Sequence, residues 1–363
     1  VRQKDTAARL GGDEFVVMLE DLSDNAQEAA IHAEISGKKI LAALNEPYLL
    51  DGHDYRCSSS IGATMFYDHG VPEDELLRHV DIAMYQAKHR GLNNLCFFDQ
   101  AMQAVIIERA AMEADLRVAL EQKQFILHYQ QQITHDGQIV GAELLIRWQH
   151  PVRGLILPMD FIPLAEETGL ILAIGHWVLE TACAQLKRWE NNPQTQHLEL
   201  AVNVSAHQFH QIDFVKQITD ILEKSAIDPS RLKLELTESM LLENRAEIAV
   251  KMQALKAIGV GFSLDDFGTG YASLAYLTQL TFDQLKIDQS FVHKIGVNHN
   301  DSVIIKAIIG MTNNLHDMQI IAEGVETEAQ RAFLEEHGCA LCQGFLFSKP
   351  LPLAEFEALL PKS

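Results

Sequence analysis

Acidic and amide side chains recur at or near the ends of short apolar runs in this sequence: Glu143, Asn203, Glu235, Asp265 with Asp266, Lys286 with Asp288, and Glu323 with Glu326. An acid that ends an apolar strand is costly to bury alone. Several converging carboxylates repel one another unless cations sit between them. Oxygen ligands with one amide suit Mg²⁺ or Mn²⁺, and no ring of His or Cys accompanies them to suggest zinc. Taken singly, Glu235 reads equally well as a helix cap, and Asp265–Asp266 as a turn. Taken jointly, every strand end needs the same explanation.

The elements that must hold these residues alternate. Phe125 to Ile133 and Ile139 to Trp148 read as two strands joined at Asp136–Gly137, a hairpin signal. Short apolar strands follow at Leu198–Val204, Leu232–Leu236, Gly261–Asp265, Phe282–Ile287 and Gln319–Ala322. Helical periodicity separates or follows them at Gly175–Glu190, Phe214–Lys224, Ala246–Ile258, Ser302–Leu315 and Glu328–His337. Strand–helix alternation on this scale is the pattern of a parallel α/β barrel, whose strand C-termini converge on one mouth. Residues 1–99 read as a separate mixed α/β segment, with strands at Phe15–Leu19 and Ser58–Phe66, helices at Ala26–Leu44 and Leu76–Lys88, and Gly91 as a stop. An amphipathic helix over residues 100–121 connects it to the barrel at 122–363.

Bulk composition narrows the function classes. The 363 residues exceed the usual single-core limit. Hydrophobic residues at 47% and charged residues at 22% are the balance of a soluble globular protein. Fifty acids against 29 Lys and Arg give a net charge of −21, which repels nucleic-acid polymers in the absence of a basic patch. The longest apolar run, Leu170 to Leu179, is about half a membrane span, and no signal peptide is expected at the start. Five cysteines are too few for a disulfide scaffold, and Cys339 and Cys342 read as packed thiols, so a cytoplasmic location is expected.

The stretches Gly141-Ala-Glu-Leu-Leu-Ile-Arg-Trp148, Phe161-Ile-Pro-Leu-Ala-Glu-Glu-Thr-Gly169, Asn203-Val-Ser205, Glu235-Leu-Thr-Glu238, Asp265-Asp-Phe-Gly-Thr-Gly270, Leu285-Lys-Ile-Asp288, Glu323-Gly-Val-Glu326 and Gln343-Gly-Phe345 hold their order over the whole barrel. In this, residues 122–360 resemble the EAL domain, the cyclic di-GMP phosphodiesterase family. The resemblance implies a TIM-like (β/α) barrel with an antiparallel first strand. It assigns Glu143, Asn203, Glu235 and Asp265 to one metal ion, and Asp265, Asp266 and Glu323 to a second, with Mg²⁺ or Mn²⁺ expected. Glu143, Lys286 and Glu323 would be catalytic, Lys286 standing beside the attacking water. Arg147, Asp288, Glu326 and Gln343 would serve substrate binding, and Glu238 would anchor the loop from Asp266 to Gly270. Two cations can hold a hydroxide between them and stabilise charge on the phosphorane oxygens, with linear pGpG as the implied product. Two positions depart from the family: Leu144 replaces an alanine, which argues for overpacking beside Glu143, and Gln131 replaces a proline.

Residues 1–99 resemble the second half of a GGDEF domain, the diguanylate cyclase family. Gly11-Gly-Asp-Glu-Phe15, Ser60-Ile-Gly62 and Asp81-Ile-Ala-Met-Tyr-Gln-Ala-Lys88 carry the likeness. Arg2 and Asp5 match the spacing of an inhibitory product site, with an ordinary surface pair as the alternative. The first half of that family's domain is missing, so a truncated piece with unpaired sheet edges and no cyclase activity is expected. The resemblance also implies a homodimer through the barrel. The competing expectation for function is a cyclic di-GMP receptor that binds without turnover.

Overall fold

In barrel strands such as Leu232–Thr237 and Gln284–Ile287 apolar and polar residues alternate, and a strand's successive side chains point to opposite faces. This makes one face of the closed sheet apolar and the other polar. The computed structural model describes all residues except 1, 3, 51–52, 56, 68–69, 90–92, 243–244, 269–279, 297–298, 313–317 and 362–363. The chain packs as two units, Val1–Asp115 and Leu116–Ser363, the division falling within the helix Gln100–Glu121.

The second unit is a closed barrel of eight strands: β1 (Phe125–Thr134), β2 (Ile139–His150), β3 (Glu199–Asn203), β4 (Leu232–Thr237), β5 (Gly261–Phe267), β6 (Gln284–Ile287), β7 (Gln319–Ala322) and β8 (Leu341–Cys342). Neighbours from β2 to β8 pair in parallel, while β1 is antiparallel to both β2 and β8 and closes the ring. The expected antiparallel first strand is therefore present. It follows from the hairpin, where Gly137 takes φ +80° and its N–H donates to the Thr134 carbonyl at 3.0 Å.

The apolar face packs outward on helices. Tyr129 of β1 packs against Trp189 and Phe356, and Phe125 against Trp148, Phe161 and Trp177. Leu200, Leu234, Leu264 and Leu285 are buried on the same face of their strands. Helix α1 (Pro158–Thr168), helix α2 (Ile171–Trp189), helix α3 (Phe214–Ser225), helix α4 (Arg245–Ala257), helix α5 (His299–Thr312) and helix α6 (Glu328–Glu336) lie in this half of the chain. The sequence periodicity anticipates all of these helices except α1. That helix starts at Pro158, a favourable first position, but contains Pro163, which argues against a helix when read locally. Strand β8 was likewise not anticipated, because two residues carry no period. The tail of the expected helix Ser302–Leu315, from residue 313, lies outside the described residues.

Residues of the first unit form two-stranded pieces. Thr6–Gly11 pairs antiparallel with Glu14–Met18, Tyr48–Leu50 with His53–Tyr55, and Ile61–Ala63 pairs in parallel with Leu95–Phe97. Only three residues of the expected strand Ser58–Phe66 are paired. Its partner at Leu95–Phe97 is too short to read from sequence. Helices Ala26–Asn45 and Glu73–His89 stand where the periodicity put them. The expected stop at Gly91 lies outside the described residues. No helix among the described residues is long and apolar enough to cross a membrane.

Leu144 corrects one expectation. Strand alternation turns it away from Glu143 to the helix side, across from Tyr129 and beside Val202, where it is 2% exposed. The leucine fills a closed layer and does not crowd the acid. Leu144→Ala should therefore cost about 2–5 kcal/mol through a cavity. Urea denaturation checks this; an unchanged or higher midpoint would mean the layer was overpacked after all.

Candidate active site

The polar faces of β2 to β7 meet at Lys286 of β6. Its side chain is fully buried, and its Nζ lies 2.6 Å from Glu323, 2.8 Å from Glu235, and 3.2 Å from both Glu143 and Asp265. Each of these acids sits where its strand brings an inward-facing position to the same level. Glu235 is registered between Asn203 and Ser263. Glu323 follows directly after β7, where its N–H donates to the Ile287 carbonyl at 3.1 Å. Three ammonium protons face oxygens from four carboxylates. Among the described residues no three carboxylate, imidazole or thiol groups form a metal-holding cluster of their own. The carboxylates gather on the ammonium instead.

The charges are unevenly held. For Glu143, burial would raise the pKa, but the Lys286 ammonium and hydrogen bonds from Gln343 and Asn203 outweigh it and keep the carboxylate ionised below its usual range. Asn203 Nδ2 donates to Glu143 Oε1 at 2.7 Å and Gln343 Nε2 donates to Oε2 at 2.6 Å. Burial, followed by the charge of Glu143, pushes Glu235 well above the ordinary carboxylate range. Burial likewise pushes Glu323 up to about 8. Burial alone would lower Lys286, yet Glu143, Glu235, Glu323 and Asp265 raise it well above the usual amine range. Among the described residues, Glu235 Oε1 is buried with no hydrogen-bond partner.

Asp266 reaches the cluster's edge through an irregularity in β5. The register shifts between Leu264 and Phe267, and Asp266 takes φ +56°, a conformation Asp tolerates better than most residues. Its N–H donates to Asp265 Oδ1 at 2.8 Å, and burial, then Asp265 and Asp288, raise its pKa. Asp288 accepts from the Ser290 N–H at 3.0 Å and caps a short helical turn. Buried Glu238 accepts from the Gly268 N–H at 3.0 Å, so it holds the start of the expected loop; Thr269 and Gly270 lie outside the described residues.

Other expected residues stand apart from the ammonium. Arg147 is half-buried on the inward face of β2, two alternations beyond Glu143, and donates to the Ile146 carbonyl at 2.9 Å. Burial lowers its pKa, and Glu143 opposes that. Glu326 is exposed and faces His293 at 3.7 Å. Its N–H donates at 2.8 Å to Gln330, which also completes the cap of α6 with Thr327. Gln343 is buried behind Glu143. The next residue, Gly344, is needed there because a Cβ would come within 2.2 Å of the Val325 backbone. The reading from sequence missed Gln132 and gave Gln130 no role, although both contact Gln343. The run Gln130-Gln-Gln132 inside a buried strand was the available signal.

In the first unit, Asp13 and Glu14 are exposed in the hairpin turn, where Arg9 donates to the Gly12 carbonyl at 2.6 and 3.0 Å. Arg2 and Asp5 form a local turn. The Arg2 N–H donates to the Asp5 carboxylate, and the Asp5 N–H donates to the Arg2 carbonyl at 3.1 Å. The bond from the Arg2 N–H to the carboxylate, more than any other interaction, lowers the Asp5 pKa. Among the described residues the contact is backbone-mediated.

Comparison with known proteins gives this geometry a family. The EAL domain model matches residues 113–350, and the diguanylate cyclase GGDEF domain model matches residues 1–94. The chain is 42% identical over 359 residues to the bifunctional diguanylate cyclase/cyclic di-GMP phosphodiesterase MucR of Pseudomonas aeruginosa, covering 99% of this chain and 51% of that protein. It is 39% identical over 361 residues to the cyclic di-GMP phosphodiesterase NbdA of the same organism, covering 99% of this chain and 45% of the relative. The chain thus spans about half the length of the curated relatives it matches. A solved cyclic di-GMP complex of the MucR phosphodiesterase is 43% identical, with a TM-score of 0.66 over 68% of this chain and 99% of that one. The chain belongs to the EAL domain family, with a partial GGDEF domain ahead of the barrel.

Proposed function

We propose that the barrel hydrolyses cyclic di-GMP to linear pGpG with the aid of two divalent cations, Mg²⁺ or Mn²⁺. One observation carries the reading: four carboxylates, buried in Glu143, Glu235 and Asp265 and partly exposed in Glu323, surround one buried ammonium, so the group sums to −3 (four negative, one positive) when all are ionised. Such an excess is relieved by protons or by cations. The donor set is carboxylate and amide oxygen, which fits hard cations, and the partnerless Glu235 Oε1 is an oxygen in want of one. Glu143, Asn203, Glu235 and Asp265 would hold one ion, and Asp265, Asp266 and Glu323 the other. The ions would supply charge neutralisation and a water acidic enough to attack phosphorus. The names of MucR and NbdA support the choice of substrate.

The chain's own residues account for the remaining requirements. The guanidinium of Arg147 suits contact with a phosphate oxygen. In the step itself, water oxygen bonds to phosphorus, one phosphorus–oxygen bond to a ribose breaks, and the ring opens once. The ammonium of Lys286 can donate to the attacking water and orient it, but in its charged form it accepts no proton. The proton that the water gives up is balanced by the one that the departing ribose oxygen takes up to become a hydroxyl, and Glu323, as a metal ligand, would act in its ionised form.

Incubation of the protein with cyclic di-GMP and Mg²⁺ or Mn²⁺, followed by product chromatography, should give pGpG. Glu143→Ala and Asp265→Ala should each abolish it. Binding without product would make the barrel a receptor, and full turnover in both variants would remove the metal assignment.

Lys286→Met should leave four carboxylates facing one another, at a cost of about 3–5 kcal/mol in metal-free protein. With saturating Mg²⁺ the fold should recover while turnover stays about 10²–10⁴-fold down. A wild-type rate at saturating Mg²⁺ would reduce Lys286 to a counter-charge.

The Glu323 pKa is higher in the folded than in the unfolded chain, so the folded state binds the extra proton between the two values. Stability of the metal-free protein should therefore fall as pH rises from about 4.3, the unfolded value, through the folded value. Melting temperatures in EDTA across that interval, compared with Glu323→Gln, measure the contribution. The variant should show the shallower decline, and saturating Mg²⁺ should flatten the wild-type curve. Identical slopes for both proteins would show that Glu323 does not carry the proton.

A further inference from the structure

A chain of amides runs behind Glu143. Gln132 Nε2 donates to Gln343 Oε1 at 3.2 Å, and Gln343 Nε2 donates both to Gln130 Oε1 at 3.1 Å and to Glu143 Oε2 at 2.6 Å. Gln130, Gln132 and Gln343 are all buried. Gln130 and Gln132 share the inward face of β1, opposite Glu143 and Gly141 of β2. The direction of each bond matters because an amide has one donating and one accepting end. If Gln343 were turned over, its carbonyl oxygen would face the Glu143 carboxylate at hydrogen-bonding distance, acceptor against acceptor. Gln132 supplies the donor that satisfies the far end of Gln343 in the orientation that serves Glu143.

We infer that Gln132 is a positioning residue of the active site, acting through Gln343 to fix the rotamer and hydrogen bonding of Glu143. Neither the family match nor the relatives' names assign it a role, and the inference rests on the hydrolase reading only for its kinetic readout. Its position supports rigidity. The register of the β1–β2 pair shifts between Gln132 and Ile133, so the residue sits at a fixed irregularity where the hairpin leaves the barrel wall. Gly141 opposite it has no side chain, and a Cβ there would come within 2.6 Å of the Glu199 carbonyl oxygen. Orientation of a ligand by the residue behind it commonly governs metal affinity and rate.

Gln132→Met keeps the length and removes the donor. Gln132→Glu keeps the shape and presents only acceptors to Gln343 when ionised. The Met substitution should weaken Mg²⁺ binding, read by calorimetry without substrate, and lower kcat with little change in KM, by about 10–100-fold. The Glu substitution should be the more severe. In a Gln343→Met background, Gln132→Met should add no further loss in either measurement, because the route to Glu143 is already cut. Multiplying losses in the double variant would overturn the inference, as would full Mg²⁺ affinity and rate in Gln132→Met. If the Glu variant fails to fold, the Met cycle alone decides. If the wild type binds Mg²⁺ but shows no turnover, the hydrolase reading fails, and the cycle read on Mg²⁺ affinity still tests Gln132.

Discussion

A single buried ammonium facing four carboxylates organises the barrel mouth. Lys286 attracts Glu143, Glu235, Asp265 and Glu323, yet it cannot neutralise them all, and each acid left ionised in a buried setting is costly. The imbalance explains the split in proton affinity. Glu143 has two amide donors besides the lysine and stays ionised, whereas Glu235 and Glu323 have fewer donors and hold protons more readily. On the proposed reading, divalent cations would take the place of those protons. Stability and function then pull in opposite directions at the same residues.

The polar character continues below the mouth. Gln130, Gln132 and Gln343 form one network, and Ser263 Oγ donates to Gln284 Oε1 at 3.2 Å in another. Buried Lys233 in turn meets the partly exposed Glu199 at 2.9 Å. A barrel interior rich in hydrogen-bonded polar groups has fewer alternative packings than an apolar one, because most donors there require a particular acceptor. That constraint keeps the carboxylates in register, while the apolar outer face supplies the burial that drives folding. Leu144 belongs to the outer face and Glu143 to the inner, which is why adjacent residues answer to different physics.

The strand alternation was readable in the sequence, and with it the helices from Phe214 to Glu336, the antiparallel hairpin and the acids at the strand ends. Each of these is local: a period of two, a period of about 3.6, an Asp–Gly turn. What stayed hidden was short or non-local. Two residues at Leu341–Cys342 close the barrel only because strands on either side leave a gap for them. Helix α1 forms despite Pro163, since packing of Phe161 against Phe125 and Trp148 overrides local preference.

For the site, residue types alone determined that carboxylates and one lysine would gather at one mouth. Tertiary structure decided their partners. It set Lys286 at the centre of four acids, turned Leu144 outward, left Glu326 on the surface beside His293, and brought Gln132, 211 positions away, onto Gln343. No spacing rule could supply these, because hydrogen-bond partnership depends on which strands the closed sheet makes neighbours and on which face each residue falls. The sequence carried the chemistry in its composition and period, and the closure of the barrel assigned each group its partner.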